Sequence, residues 1–263
     1  MGALSNERDG SGLTTRDHEC LAARELLGCL DLRKLECIVA HGVQFDRFLE
    51  ILNVLTESAL LIAMAIVLEL VAKAFIPEMP FGGQVTLVSM LPIVLISYRH
   101  GVKWGLLSGV VYAALEMVIG AKTVAAAFQP DYFGSGVLIV NALLMCLLDY
   151  VLAFTILGIG GCFRNKIQNP GLSLCLGSIV ALSCRYLCHI LSGYILFGSY
   201  AEWFFTQEGF PAWGANLVAS LNPQLLALAY SVVYNGMYMI PEIVFTAVAA
   251  LLLSKVPGIV KKV

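Results

Sequence analysis

Asp149 stands near the middle of an otherwise apolar run, Val137–Phe163. A charged side chain at the centre of a membrane helix costs about 2.5–3.5 kcal/mol on insertion scales, so it needs a partner or a purpose. Tyr150 follows it directly, and other apolar runs carry Arg185, His189, Tyr230 and Asn235. An acid supplies acceptors, tyrosines supply a ring face with a hydroxyl, and an imidazole and an amide add donors and acceptors. Such a set suits a small cationic or amide-rich aromatic ligand held by hydrogen bonds, stacking and cation–π contact, with no covalent step.

These side chains must be positioned by helices in a bilayer. The chain has 263 residues, of which 59% are hydrophobic and 13% charged, with a mean hydropathy of +0.84. Soluble domains carry about 25% charged residues. Nearly half of the charged residues fall in the first fifty positions. The rest of the chain has too few to solvate a globular surface, so the fold class is an all-α integral membrane protein. Residues 1–50 read as a polar, cytoplasmic N-terminal extension, either disordered or forming short amphipathic helices such as one around Cys20–Leu30; residues 51–263 read as the membrane domain. The net charge of −2 and the lack of a basic stripe set nucleic acid aside. The eight cysteines form no C-x-x-C pair, so neither a disulfide framework nor a metal site is expected, and no cofactor is implied.

Six spans are predicted: Leu55–Ile76, Val85–Tyr98, Val102–Gly120, Val137–Phe163, Leu172–Phe197 and Leu225–Ser254. The second is short for a bilayer that needs about 20 residues, so it is expected to span only in part or to pack within the protein. Pro92 and Pro241 are candidates for kinks. Arg99, Lys103, Arg164, Lys166, Lys255, Lys261 and Lys262 fall on one side of the membrane, and Lys122 alone on the other. The positive-inside rule then places both termini in the cytoplasm. At 1.5 Å per residue Asp149 lies roughly 18 Å below the outer surface. His189, Tyr230 and Asn235 also fall in the outer half, which fits a pocket opening outward. Arg185, at a depth similar to that of Asp149, is the candidate ion-pair partner, and it shares a helix face with His189 at i,i+4. Glu69, Glu116 and Glu242 lie nearer helix ends or kinks and are expected to reach water.

Several segments, taken in order, resemble one family. They are Leu55-Thr56-Glu57-Ser58-Ala59, Met90–Gly101, Leu148-Asp149-Tyr150, Arg185–Gly193 and Tyr230–Gly236. They are similar to the substrate-binding S components of energy-coupling factor (ECF) vitamin importers, the thiamine-specific group in particular. The resemblance covers about residues 55–255. It implies ligand contacts at Asp149, Tyr150, His189, Tyr230 and Asn235, with Phe197 near the position of a stacking tryptophan. Gly83, with Phe81 close by, falls near a second such tryptophan, and Tyr132 is the counterpart of a loop tyrosine. The family's acid is usually Glu; here it is Asp. The resemblance further implies that Ala59 and Ala63 meet a transmembrane coupling subunit, which works with two ATPase subunits. Small residues four apart allow such close approach.

The implied function is high-affinity thiamine binding without covalent chemistry. A stand-alone proton-coupled permease, using Asp149, Arg185 and His189 as a relay, is the alternative. An intramembrane enzyme finds little support. G-x-S-x-G and H-E-x-x-H are absent, and Phe133-Gly134-Ser135-Gly136 has no evident base beside it.

Overall fold

The computed structural model describes residues 32–79, 83–130, 132–134, 138–256 and 258–259, with side chains from Asp46 onward. The expectations for residues 1–31, and for Phe81, Ser135, Gly136, Lys261 and Lys262, lie outside the described residues. Two compact units divide the chain at Leu55/Thr56. The described elements, in order, are α1 (Leu32–Phe75), α2 (Leu91–His100), α3 (Val102–Ile119), α4 (Ala121–Ala127), α5 (Leu138–Phe163), α6 (Pro170–Leu196), α7 (Ala201–Phe205), α8 (Trp213–Ser220) and α9 (Pro223–Leu253). Five stretches are long and apolar enough to cross a membrane: Asp46–Phe75 within α1, and α3, α5, α6 and α9. Asn169 and Asn222 start α6 and α9. Each side chain accepts from the backbone N–H three residues on, and a proline follows at the first helical position.

The expected second span is helical only over the ten residues of α2, about 15 Å and too short to cross a bilayer. Val85–Met90 is apolar in composition but not helical, and Leu87 and Val88 have φ of 46° and 72°. Glu242 of α9, fully buried beside Pro241, holds this segment. Its carboxyl oxygens accept from the backbone N–H groups of Thr86 at 2.7 Å and Val88 at 3.2 Å. Pro92 sits in the first turn of α2, where it starts the helix rather than kinking it. Each buried N–H left without an acceptor costs about 1–3 kcal/mol, so Glu242→Ala should destabilise the protein by about 2–4 kcal/mol. Thermal unfolding in detergent checks this, and an unchanged midpoint would contradict it.

The most extensive helix pairing joins α9 to α6, with α5 packed between α6 and the α2–α3 pair. Away from the long loops the packing is backbone to backbone. A Cβ on Gly158 would run into the backbone of Gly105 and Leu106, one on Gly161 into Ser97, and one on Gly177 into Gly160. Ser97 Oγ ties the same seam by donating to the Gly158 carbonyl and accepting from Gly161 N–H at 2.9 Å. At that end Glu57 pairs with Arg99, which also donates to the carbonyls of Gly258 and Ile259. The opposite half, on the side of the loops after α1, α3 and α6, stays open around a cavity.

Candidate functional site

Asp149 and Tyr150 lie in the stretch Cys146–Leu152, where α5 winds as a π-helix. Such wide turns re-aim side chains and are frequent at functional sites. Here the turn presents Asp149 to α6. Its Oδ1 lies 2.8 Å from His189 Nδ1, and its Oδ2 accepts from Ser192 Oγ at 2.5 Å. His189 Nε2 lies 3.2 Å from Arg185 Nε. A guanidinium only donates, so Nε2 must accept; the imidazole then carries its proton on Nδ1 and donates it to Asp149. The expected Asp149–Arg185 ion pair is therefore replaced by a chain in which His189 stands between them. Arg185 is occupied elsewhere as well: it donates to Met90 Sδ, and its guanidinium sits 4.2 Å from the centroid of the Phe154 ring.

α9 supplies the opposite wall. Asn235 Nδ2 donates to the His189 carbonyl at 3.2 Å and the Ser231 carbonyl at 2.9 Å, while its Oδ1 accepts from Tyr238 OH at 2.6 Å. Ser231 Oγ donates to the Ile190 carbonyl at 2.7 Å. Gly193 permits this closeness, because a Cβ there would strike Ser231 Oγ. The Tyr230 ring packs on Tyr234 at 5.5 Å and on Phe204 at 5.2 Å. The Tyr238 ring meets His189 edge-on at 5.9 Å.

The cavity so enclosed measures about 140 Å³. Asp149, Tyr150, His189, Phe197, Tyr230, Asn235 and Gly83 all line it, so seven of the eight expected pocket residues converge on one space. Tyr132 stands behind the wall, its ring 6.0 Å from that of Phe197 and 5.0 Å from that of Phe133. Burial, aided by the nearby Asp149 carboxyl, pushes its hydroxyl up to about 12, so it stays protonated. Gly83 has φ +94°, and a Cβ there would collide with the Tyr238 ring. The aromatic surface at this edge thus comes from α9 and leaves no room for a side chain at position 83. Ala59 and Ala63 are exposed on α1 and do not line the cavity.

Ser192, Tyr234 and Tyr238 were not among the expected residues, yet all three line the cavity. The signal was present in the spacing: Tyr230, Tyr234 and Tyr238 recur every four residues on one face of α9, and Ser192 follows His189 at i+3. Glu69, Glu116 and Glu242 are buried rather than water-exposed. Glu69 and Glu116 face the cavity, and Glu242 faces the Thr86–Val88 backbone.

The family described as thiamine transporter protein (Thia_YuaJ) matches residues 55–213, more than half of the chain. The chain belongs to that family. Among curated proteins it is similar to thiamine transporter ThiT of Bacillus subtilis (strain 168), with 31% identity over 208 residues covering 76% of this chain and 88% of that one. Its fold matches a solved structure of ThiT from Listeria monocytogenes with a TM-score of 0.56, at 21% identity, over 81% of this chain and 99% of the other. As a member of the thiamine transporter family, the chain is a multi-pass plasma-membrane protein and a transport subunit rather than an enzyme.

Proposed function

We propose that this chain binds thiamine in the outer half of the membrane as the S component of an ECF importer. The observation that carries the reading is the Asp149 carboxyl group. It is fixed by His189 and Ser192, its side chain keeps 21% of its surface accessible, and it faces a cavity walled by Tyr150, Phe197 and Tyr230. A 4-aminopyrimidine offers an amino donor and ring-nitrogen acceptors on one edge and a π face on the other. Asp149 would accept from the amino group, Asn235 would complete the polar edge, and Tyr150, Phe197 and Tyr230 would pack on the faces. The basic residues on the loops opposite the cavity support an outward-opening site.

Uptake then needs a coupling subunit and two ATPase subunits from other chains. The exposed Ala59 and Ala63 on α1 form the small-residue face proposed to meet the coupling subunit. Reconstituted vesicles test this reading. Thiamine accumulation should require the ATPase module and ATP, and should be absent with this chain alone. A pH-driven uptake by the chain alone would instead establish the permease alternative. On the pocket itself, Tyr238→Phe keeps the ring but loses the hydrogen bond to Asn235. It should weaken thiamine binding about threefold to tenfold in calorimetric titration.

A further inference from the structure

The cavity has a second polar lobe that the contacts proposed above leave unused. It is built by α1 and α3. Glu69 of α1 is held on both sides: Lys73 Nζ approaches its Oε1 at 3.1 Å, and Tyr112 OH donates to its Oε2 at 3.1 Å. Its charge is thereby offset. Glu116 of α3, one helical turn beyond Tyr112, is 3% exposed and lines the same cavity. Its carboxyl group sits beside the Glu69 carboxyl and the Tyr112 hydroxyl, and its Oε1 has no hydrogen-bond partner among the described residues. A buried carboxyl oxygen left in this condition is costly, and a cation beside it removes the cost.

The lobe lies above the Asp149 end. Glu116 is three residues from the loop end of α3, about 4.5 Å, whereas Asp149 is eleven residues from the loop end of α5, about 16 Å. The Tyr150 ring bridges the two levels, its hydroxyl packed against Gly120 one turn beyond Glu116. A two-ring ligand with a hydrogen-bonding ring at depth and a positive charge nearer the mouth matches that layout.

We propose that Glu116, beside Glu69, is a cation subsite that receives the positively charged ring of the ligand. This rests on the thiamine reading, under which that ring is the thiazolium. Glu116 is then a specificity residue: it favours a permanent cation over a neutral ring of the same shape.

The test compares thiamine with its neutral isostere, in which carbon replaces the charged ring nitrogen, by titration calorimetry on the full chain in detergent. Wild type should prefer thiamine by at least about tenfold, or 1.4 kcal/mol. In Glu116→Gln the preference should collapse to within about threefold through weaker thiamine binding, with isostere affinity nearly unchanged. Asp149→Asn should weaken both compounds in parallel. Glu116→Asp, which keeps the charge, should keep the preference, and the retained isostere affinity of the Gln variant rules out a folding defect as the cause. A preference intact in Glu116→Gln, lost in Glu116→Asp, or absent from wild type overturns the subsite while leaving thiamine binding standing. Failure of wild type to bind either compound overturns the thiamine reading and the subsite with it.

Discussion

Asp149→Ala should lower thiamine affinity at least about thirtyfold. The substitution removes both acceptors that hold His189 and Ser192, leaving two buried donors facing the cavity. Each buried donor left without its acceptor costs about 1–3 kcal/mol, so losing the acceptor of two costs at least about 2 kcal/mol, or roughly thirtyfold in affinity. The imidazole also loses the acceptor for its Nδ1–H, one of the two hydrogen bonds that orient the ring. Asp149→Asn keeps the size but turns one acceptor into a donor pointing at a hydroxyl or at Nδ1–H, and should lose nearly as much. Asp149→Glu separates position from charge: its extra methylene pushes the carboxyl group further into the cavity, and partial binding should survive. Titration calorimetry on the detergent-purified variants measures all three. Wild-type affinity in the alanine variant would remove Asp149 from the site.

Gly158→Leu should have the largest effect on folding. The clash involves the new Cβ itself against the backbone of Gly105 and Leu106, so no rotamer change relieves it. α3 and α5 would have to move apart, and α5 is also the helix whose Gly158 and Gly161 are tied to Ser97 of α2. The cost should exceed the about 1–3 kcal/mol of ordinary overpacking. We expect little monodisperse protein on size-exclusion chromatography and a melting midpoint well below wild type. Val118→Leu, on an outward-facing position of α3, is the matched control and should behave as wild type. An equally stable Gly158→Leu protein would mean that the seam is looser than these contacts imply.

Much of the site was legible in the sequence because the bilayer makes polar residues conspicuous. Asp149, His189 and Asn235 stood out as exceptions in apolar runs, and they do converge. What could not be read was direction. Depth alone made Arg185 a fair partner for Asp149, but the π-helical turn aims the acid at His189 and Ser192, and nothing in the residue types announces that turn. Glu69 and Glu116 were expected to reach water because they lie close to helix ends. That expectation holds only where the ends are bare, and here both side chains turn inward to line the cavity. Val85–Met90 is mostly apolar, which is what extended the predicted span over it. A carboxyl group 154 residues away in sequence, however, captures the N–H of Val88, and no local pattern contains that contact. The tyrosines of α9 are a different case: their four-residue spacing was visible, and only the first was singled out.

The most direct test of thiamine binding is mass spectrometry of the small molecules released when the purified protein is denatured. Protein from cells grown with thiamine should release it at about one molecule per chain, as sub-micromolar affinity requires. Release of a different metabolite at that ratio, or failure to retain thiamine even after incubation with it, would contradict the proposed function.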